Sequence, residues 1–408
     1  MLAILTKIYL LTISGYNRPG LCSRINAVLS EQSADVLDVG QSVIHDTLSL
    51  GMLVGVQSES SLKLIQAELD ALLAECDAQL RVREVEVENY QKWVSGHGSP
   101  KHVVTLLSRQ LAAKNIQAVS QVLADHELDI HHIRRLTGRM PIEAVSQQSQ
   151  ACVEFIARGA VSSIEGLRAE LMELGSNLDA DIAYQEDDIY RRNRRLVVFD
   201  MDSTLIQEEV IDELAKRAGV GDEVSEITEA AMRGEIDFKE SLKRRVAKLQ
   251  GLSESVMLDI AQELNLNEGA DRLLSTLKKL GFKTAILSGG FTFFGRYISK
   301  RLDIDYVHAN ELEIVDGALT GRVIGDIVDG ARKAVLLKEI AANLGFGLEQ
   351  TIAVGDGAND LPMLSTAGMG IAFHAKPVVQ ASASYSVSNL GLDAILYLMG
   401  MSDTEAPD

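Results

Sequence analysis

Leu196-Val197-Val198-Phe199-Asp200-Met201-Asp202-Ser203-Thr204 is the stretch on which the fold reading turns. Four consecutive apolar residues predict a buried strand, and the acidic turn behind them sets two carboxylates at its C-terminal end. Open α/β sheets carry their chemistry at that edge. Residues i and i+2 share a strand face, so Asp200 and Asp202 can both project toward one reacting centre if the run continues. A carboxylate nucleophile beside an acid/base partner is what aspartyl-phosphate chemistry requires. A strand ending in a plain Asp-rich turn reads the same way from these residues alone. A calcium loop does not, because Leu205 and Ile211 stand where its glycine and its last glutamate belong.

Downstream, two more strands are expected at Thr284–Leu287 and Thr351–Val354, alternating with helical stretches as in a parallel, doubly wound sheet. Each runs into a chemically distinctive turn. Ser288-Gly289-Gly290-Phe291 offers a hydroxyl and glycine amides that can approach a phosphate closely. Gly355-Asp356-Gly357-Ala358-Asn359-Asp360 adds a second acidic cluster. Between them Lys333 opens a helix expected over Lys333–Leu344, where it can neutralise a phosphoryl group. Carboxylates crowded at one sheet edge repel and hold their protons unless a cation intervenes, and an all-oxygen set with a substrate phosphate suits Mg²⁺. The hypothesis is metal-assisted phosphoryl transfer, with Asp200 attacking phosphorus and Asp202 carrying the proton.

Residues 206–269 interrupt the alternation with helical, charge-rich sequence (209–218, 223–233 and 238–249), a lid placed over the sheet edge. Upstream, two stretches share one order of elements. The first reads strand 7–14, helix 21–31, strands 34–44 and 48–56, helix 62–75 and strand 80–87. The second reads strand 103–108, helix 113–125, strands 129–136 and 152–157, helix 162–174 and strand 180–184. Each is a βαββαβ unit. Turn-rich Gly96–Pro100 separates them, and a charged segment at 186–193 precedes the strand at Leu196. The expected domains are 1–95, 96–188, a core of 189–205 with 270–400, a cap at 206–269 and an acidic tail at 401–408.

The chain has 408 residues, 46% of them hydrophobic, and a formal net charge of −19, which disfavours nonspecific binding to nucleic acid or anionic membranes. Arg191, Arg192, Arg194 and Arg195 form one basic cluster, expected as a solvated linker. Cys22, Cys76 and Cys152 have neither disulfide-framework nor zinc spacing. The apolar start, Met1–Ile13, is broken by Lys7 and Tyr9 and lacks a signal-peptide pattern, and no other run approaches the roughly 18 apolar residues of a membrane span. These features fit a protein of the cytoplasm. His131 and His132 alternate on a strand and make a poor metal pair.

The four motifs, in order at fitting strand ends, closely resemble the haloacid dehalogenase superfamily, and residues 196 to about 395 look like its phosphoserine phosphatase family, which has a helical cap after the first motif. The resemblance implies Asp200 as nucleophile, Asp202 as general acid/base, and Mg²⁺ held by the Asp200 and Asp356 side chains and the Asp202 carbonyl. It implies Ser288, Gly289 and Lys333 around the phosphate, with Asn359 and Asp360 in support. In the cap, Glu209 would meet the substrate ammonium and Arg245 its carboxylate, while Met232 and Phe238 shield the site. Met201 stands where Phe is also common in that family. Upstream, Gly15-Tyr16-Asn17-Arg18-Pro19-Gly20 resembles the ligand turn of ACT domains, amino-acid-binding modules often found at dimer interfaces. Gly15, Asn17, Pro19 and Gly20 are the candidate effector residues, although Asn17 replaces a frequent Asp, and the second repeat reads Ser108-Arg109-Gln110-Leu111 with no Pro-Gly. The expectation is a Mg²⁺-dependent L-phosphoserine phosphatase, a homodimer through its ACT-like domains with L-serine as a possible effector. Two alternatives stay open: a phosphatase or phosphotransferase for another small phosphomonoester, and an amino-acid-responsive interaction protein with a vestigial site.

Overall fold

A strand alternating apolar and polar residues buries one face, and a continuously apolar one buries two; the chain contains both kinds in homologous places. The structure, a computed structural model, describes residues 7–139 and 149–404, which form two compact units, Met1–Ser99 and Pro100–Asp408. In the first unit, β1 (Lys7–Tyr16), α1 (Leu21–Glu31), β2 (Asp35–Ile44), β3 (Thr47–Val56), α2 (Glu59–Ala74) and β4 (Ala78–Val85) are followed by α3 (Val87–Ser95). The sheet is antiparallel in the order β2-β3-β1-β4. Its core joins Leu11 and Ile13 of β1 to Ile25 and Leu29 of α1 and Ile65 and Leu69 of α2. Along β1, Leu11 and Ile13 are buried while Thr12 and Ser14 are exposed.

The second unit opens with the same plan: β5 (Lys101–Ser108), α4 (Ala113–Asp125), β6 (Asp129–Arg135), β7 (Ala151–Arg158), α5 (Ile164–Leu178) and β8 (Asp181–Glu186), in the order β6-β7-β5-β8. Here Val103 through Ser108 of β5 are all buried. Val104 and Leu106 pack with the repeat's own helices. Leu107 joins a core that also holds Phe199 and Leu396 of the following domain.

That domain is the doubly wound sheet expected from the Leu196 stretch. Its strands are β9 (Leu196–Phe199), β10 (Lys283–Phe291), β11 (Tyr306–Val315), β12 (Ala318–Ile324), β13 (Thr351–Gly355), β14 (Met369–Phe373) and β15 (Tyr385–Val387). They lie in the order β12-β11-β10-β9-β13-β14-β15, with β9 parallel to both β10 and β13. After β9 the chain winds outward through β10 and β11 and then returns to β13 on the other side, so the C-terminal end of β9 is the topological switch point. Helices α6 (Val210–Ala218), α7 (Gly221–Met232), α8 (Phe238–Ala247) and α9 (Glu254–Glu263) follow the first strand as the cap, and α10 (Ala270–Lys279) begins the return. The sheet is covered by α11 (Thr292–Leu302), α12 (Gly330–Leu344), α13 (Leu361–Thr366), α14 (Pro377–Ser382) and α15 (Ala394–Leu398). Among the described residues no helix is long and apolar enough to cross a membrane.

One expectation changes. The arginine cluster is solvated only in part: Arg192 is exposed, but Arg191 is 2% and Arg194 6% exposed. Arg191 pairs with Glu154 of β7, itself fully buried, and Arg194 donates to the Glu349 carbonyl. A charge can enter a core when a partner meets it there. The tail is tied down as far as it is described, because Asp403 accepts from Tyr397 Oη and Arg272 at 2.7 Å each; residues 405–408 lie outside the described residues.

Candidate active site

The chemical groups expected at the sheet edge arrive there from four places: the ends of β9 and β10, the start of α12 and the turn after β13. β9 ends in Asp200, 5% exposed, whose Oδ1 accepts from the Met201 amide at 2.7 Å. Its Oδ2 lies 2.7 Å from Lys333 Nζ. Lys333, in the first turn of α12, is fully buried and also contacts Asp360 Oδ1 at 2.7 Å. Burial alone would lower the ammonium pKa, but the two carboxylates outweigh it and hold Lys333 above its ordinary value. Asp360 is fixed further by the Gly357 amide, 3.1 Å from Oδ2.

Ser288, fully buried, accepts the Gly290 amide on Oγ at 2.9 Å, which closes the Ser-Gly-Gly turn and leaves the hydroxyl proton to donate elsewhere. The β10–β11 register shifts here, between Leu287 and Phe291. A Cβ at Gly290 would come 2.6 Å from Asp202 Oδ2, and one at Gly289 would come 3.0 Å from Phe238 of the cap. Glycine is needed at both positions for approach rather than for φ. Asn310, wholly buried, donates to the Gly289 carbonyl at 2.8 Å and accepts the Val328 amide at 2.8 Å. It therefore clamps the Ser288 turn to the loop leading into Lys333. Nothing in the sequence marks it apart from an ordinary turn asparagine.

Asp202 turns toward the start of α6, where it accepts a hydrogen bond from the Val210 amide. Its Oδ1 is buried without a partner. Burial, then the charges of Glu209 and Asp200, raise its pKa well above the usual carboxylate range, the direction that favours a proton donor. Burial and the same two neighbours raise Asp356 to about 7, while Thr204 Oγ1 donates to it at 3.2 Å.

Asp200, Asp356 and Asp360 each bring a carboxylate oxygen within 4.8 Å of the others. One lysine cannot balance three such charges, and hard oxygen donors in low dielectric fit a divalent cation. Asp200 and Asp356, the two side chains expected at a metal, are thus brought together, with Asp360 beside them.

The cap residues are held less tightly. Glu209, at the start of α6, accepts from Ser203 Oγ at 2.8 Å; desolvation of its carboxylate, then the charges of Asp200 and Asp212, raise its pKa against that hydrogen bond. Arg245 of α8 has a buried, unpartnered Nε and faces the charges of Asp212, Glu209 and Asp202, which partly offset the lowering caused by burial. Phe238 is half-buried against the Gly289 turn, and its neighbour Lys239 reaches Asp329 of the core at 3.2 Å. Met232, the last residue of α7, stands apart from them, 71% exposed. Asn359 is exposed in the Gly357–Asp360 loop. In the first unit, Gly20 adopts φ 84°, a left-handed conformation that glycine enters at little cost, immediately before α1.

Residues 197–365 match the family model for haloacid dehalogenase-like hydrolases, and residues 7–83 and 100–185 each match an ACT domain. The chain is 39% identical to phosphoserine phosphatase SerB2 of Mycobacterium tuberculosis over 98% of this chain and 95% of that protein. It is 41% identical to the phosphoserine phosphatase of Streptomyces coelicolor, over 98% and 94%. Among solved structures, a probable phosphoserine phosphatase from Vibrio cholerae aligns with a TM-score of 0.60 at 34% identity, covering 74% of this chain and 88% of that one. The chain is therefore a phosphomonoester hydrolase that belongs to the phosphoserine phosphatase family of haloacid dehalogenase-like hydrolases, with two ACT domains ahead of its catalytic domain.

Proposed function

We propose that the chain hydrolyses L-phosphoserine to L-serine and phosphate, the last step of serine biosynthesis, through a phosphoryl group carried on Asp200. The observation that carries this reading is the meeting of Asp200, Ser288, Lys333 and Asp356 from β9, β10, α12 and the turn after β13, with the buried Asp202 carboxyl beside them. Asp200 attacks phosphorus and the ester P–O bond breaks. Asp202 gives its proton to the departing serine alkoxide and then takes one from the water that cleaves the aspartyl-phosphate. Lys333, the Ser288 hydroxyl and the Gly289 amide hold phosphoryl oxygens, with Asn359 at the rim of the site. Asp200 and Asp356, with the Asp202 carbonyl, would hold Mg²⁺, which when bound offsets phosphoryl charge.

Recognition of serine falls to the cap. The unpartnered guanidinium of Arg245 is the group for the substrate carboxylate and Glu209 for its ammonium. Phe238 walls the phosphate turn, and Met232 would complete that wall as the cap closes. The ACT domains supply regulation and assembly. A hollow of about 190 Å³ lined by Arg18, Pro19, Leu21, Arg24, Glu75 and Cys76 suits an amino acid such as L-serine, and Gly15, Asn17 and Gly20 belong to the same stretch at the end of β1 and in the β1–α1 turn. Edge strand β2 leaves Val36, Val39, Val43 and Ile44 exposed, the kind of edge that a second copy would cover to make a homodimer.

The test is Mg²⁺-dependent phosphate release over a panel of small phosphomonoesters, repeated with added L-serine. L-Phosphoserine should lead the panel by at least about tenfold in kcat/KM, since each charge-assisted contact is worth that much or more. A flat profile, or no release above background, would remove the assignment.

A further inference from the structure

The two chain crossings between core and cap form a stem. Ile206 and Leu266 pair as an antiparallel bridge, and the Gln207 amide donates to Asn265 O while the Asn267 amide donates to Leu205 O, at 3.0 and 2.9 Å. Asn267 does more than close the stem. Its Nδ2 donates to the carbonyls of Ser203, Thr204 and Ile206 at 3.3, 2.8 and 3.2 Å, so one side chain holds the backbone that follows Asp202 and leads to Glu209.

The next residue, Glu268, is gripped by the second ACT domain. Arg109 Nη1 and Nη2 lie 2.7 and 2.6 Å from its two carboxylate oxygens, a two-pronged pairing. Arg109 sits in the turn between β5 and α4, the position that in the first repeat carries the Pro19-Gly20 turn. Gln150 of the same domain also donates to Glu268 and bonds Asp393 at 2.9 Å. The stem is thereby anchored from outside the catalytic domain.

We propose that Arg109 is a positioning residue for the hydrolase reaction: by fixing Glu268 it fixes Asn267, and through Asn267 the loop that presents Asp202 to the leaving group. The second ACT domain then uses its β–α turn to brace the cap stem. A pair with both side chains about a third exposed or more contributes little to stability, so its effect should show in geometry. The inference rests on the proposed function, and the geometry that carries it is the chain of contacts from Arg109 through Glu268 to the Asn267 side chain and the 203–206 backbone.

The experiment compares the full-length wild type with Arg109→Ala, Glu268→Gln and the charge swap Arg109→Glu with Glu268→Arg. It measures amide hydrogen exchange, thermal melting, and kcat/KM on L-phosphoserine and on an aryl phosphate whose leaving group needs no proton. Arg109→Ala should speed exchange at 203–208 and 265–269 while leaving β9 protected and the melting temperature within about 2 °C. Its kcat/KM should fall about tenfold on L-phosphoserine and stay within about threefold on the aryl phosphate, with the swap restoring both protection and rate. Unchanged exchange at the stem, or equal losses on the two substrates with a lowered melting temperature, would reduce the pair to glue between domains and overturn the proposal. Should the wild type fail on L-phosphoserine, the functional reading falls, and the exchange comparison still decides whether Arg109 fixes the stem.

Discussion

The core and the cap contribute to the same site in opposite ways. Lys333, Ser288 and Asp360 are fully buried and Asp200 nearly so, each held by contacts of 2.7–3.1 Å. In the cap, Met232 is 71% exposed, Arg245 keeps an unpartnered Nε and Glu209 rests on one serine hydroxyl. The chemistry is preorganised on strand ends, where neighbouring strands fix each backbone. Recognition, as proposed, falls to cap helices that join the core through the two-crossing stem and through the Ser253–Ala318 bridge to β12.

If that division is right, breaking the core should cost far more than breaking the cap. Asp200→Asn removes the nucleophile and should lower phosphate release on the order of 10⁴-fold or more, with the circular-dichroism melt unchanged or raised, since one carboxylate leaves a crowded acidic site. Substantial turnover by that variant would place the nucleophile elsewhere. Arg245→Ala should cost about 100-fold in kcat/KM on L-phosphoserine, the loss of a desolvated charge pair, and only a few-fold on an aryl phosphate. Equal losses would show that Arg245 supports the fold of α8 instead of reading a carboxylate.

The smallest effect is a shift in stability with pH. Asp356 is raised to about 7 in the folded chain from an ordinary 3.8, so the folded state holds a proton that the unfolded state has already released. Its contribution is present below the ordinary value and disappears as pH climbs through about 7. The metal-free chain should therefore melt lower at pH 8 than at pH 6, and Mg²⁺ should raise the melting temperature more at pH 8. A Mg²⁺ shift independent of pH would separate Asp356 from the metal.

Strand ends were the legible part of this molecule. The apolar runs at 196–199, 284–287 and 351–354 identify parallel strands, and each delivers its turn residues to one edge because the topology leaves no other place for them. Strand β5 is equally plain: Val103-Val104-Thr105-Leu106-Leu107 is continuously apolar apart from one threonine, whereas β1 alternates, and Leu107 of β5 packs into the core that holds Phe199. The hairpin of β11 and β12 has a local signal as well: Asp316-Gly317, with φ of 51° and 76°, is a strong hairpin turn. Other features had no local signal. Asn267 and Asn310 look like any turn asparagine until distant carbonyls converge on them. The burial of Arg191 depends on Glu154, 37 residues earlier, and the need for glycine at 289 depends on Phe238 of the cap. Such pairings are made by packing, which periodicity does not encode.

The most direct measurement traps the phosphoryl group. Full-length protein turning over L-phosphoserine with Mg²⁺ is quenched in acid, digested and mapped by mass spectrometry, with Asp200→Asn as control. The account predicts the mass of one phosphoryl group on the peptide containing Asp200, located on that side chain and absent from the variant. Phosphoryl mass on a different residue, or steady turnover with Asp200 never labelled, would contradict it.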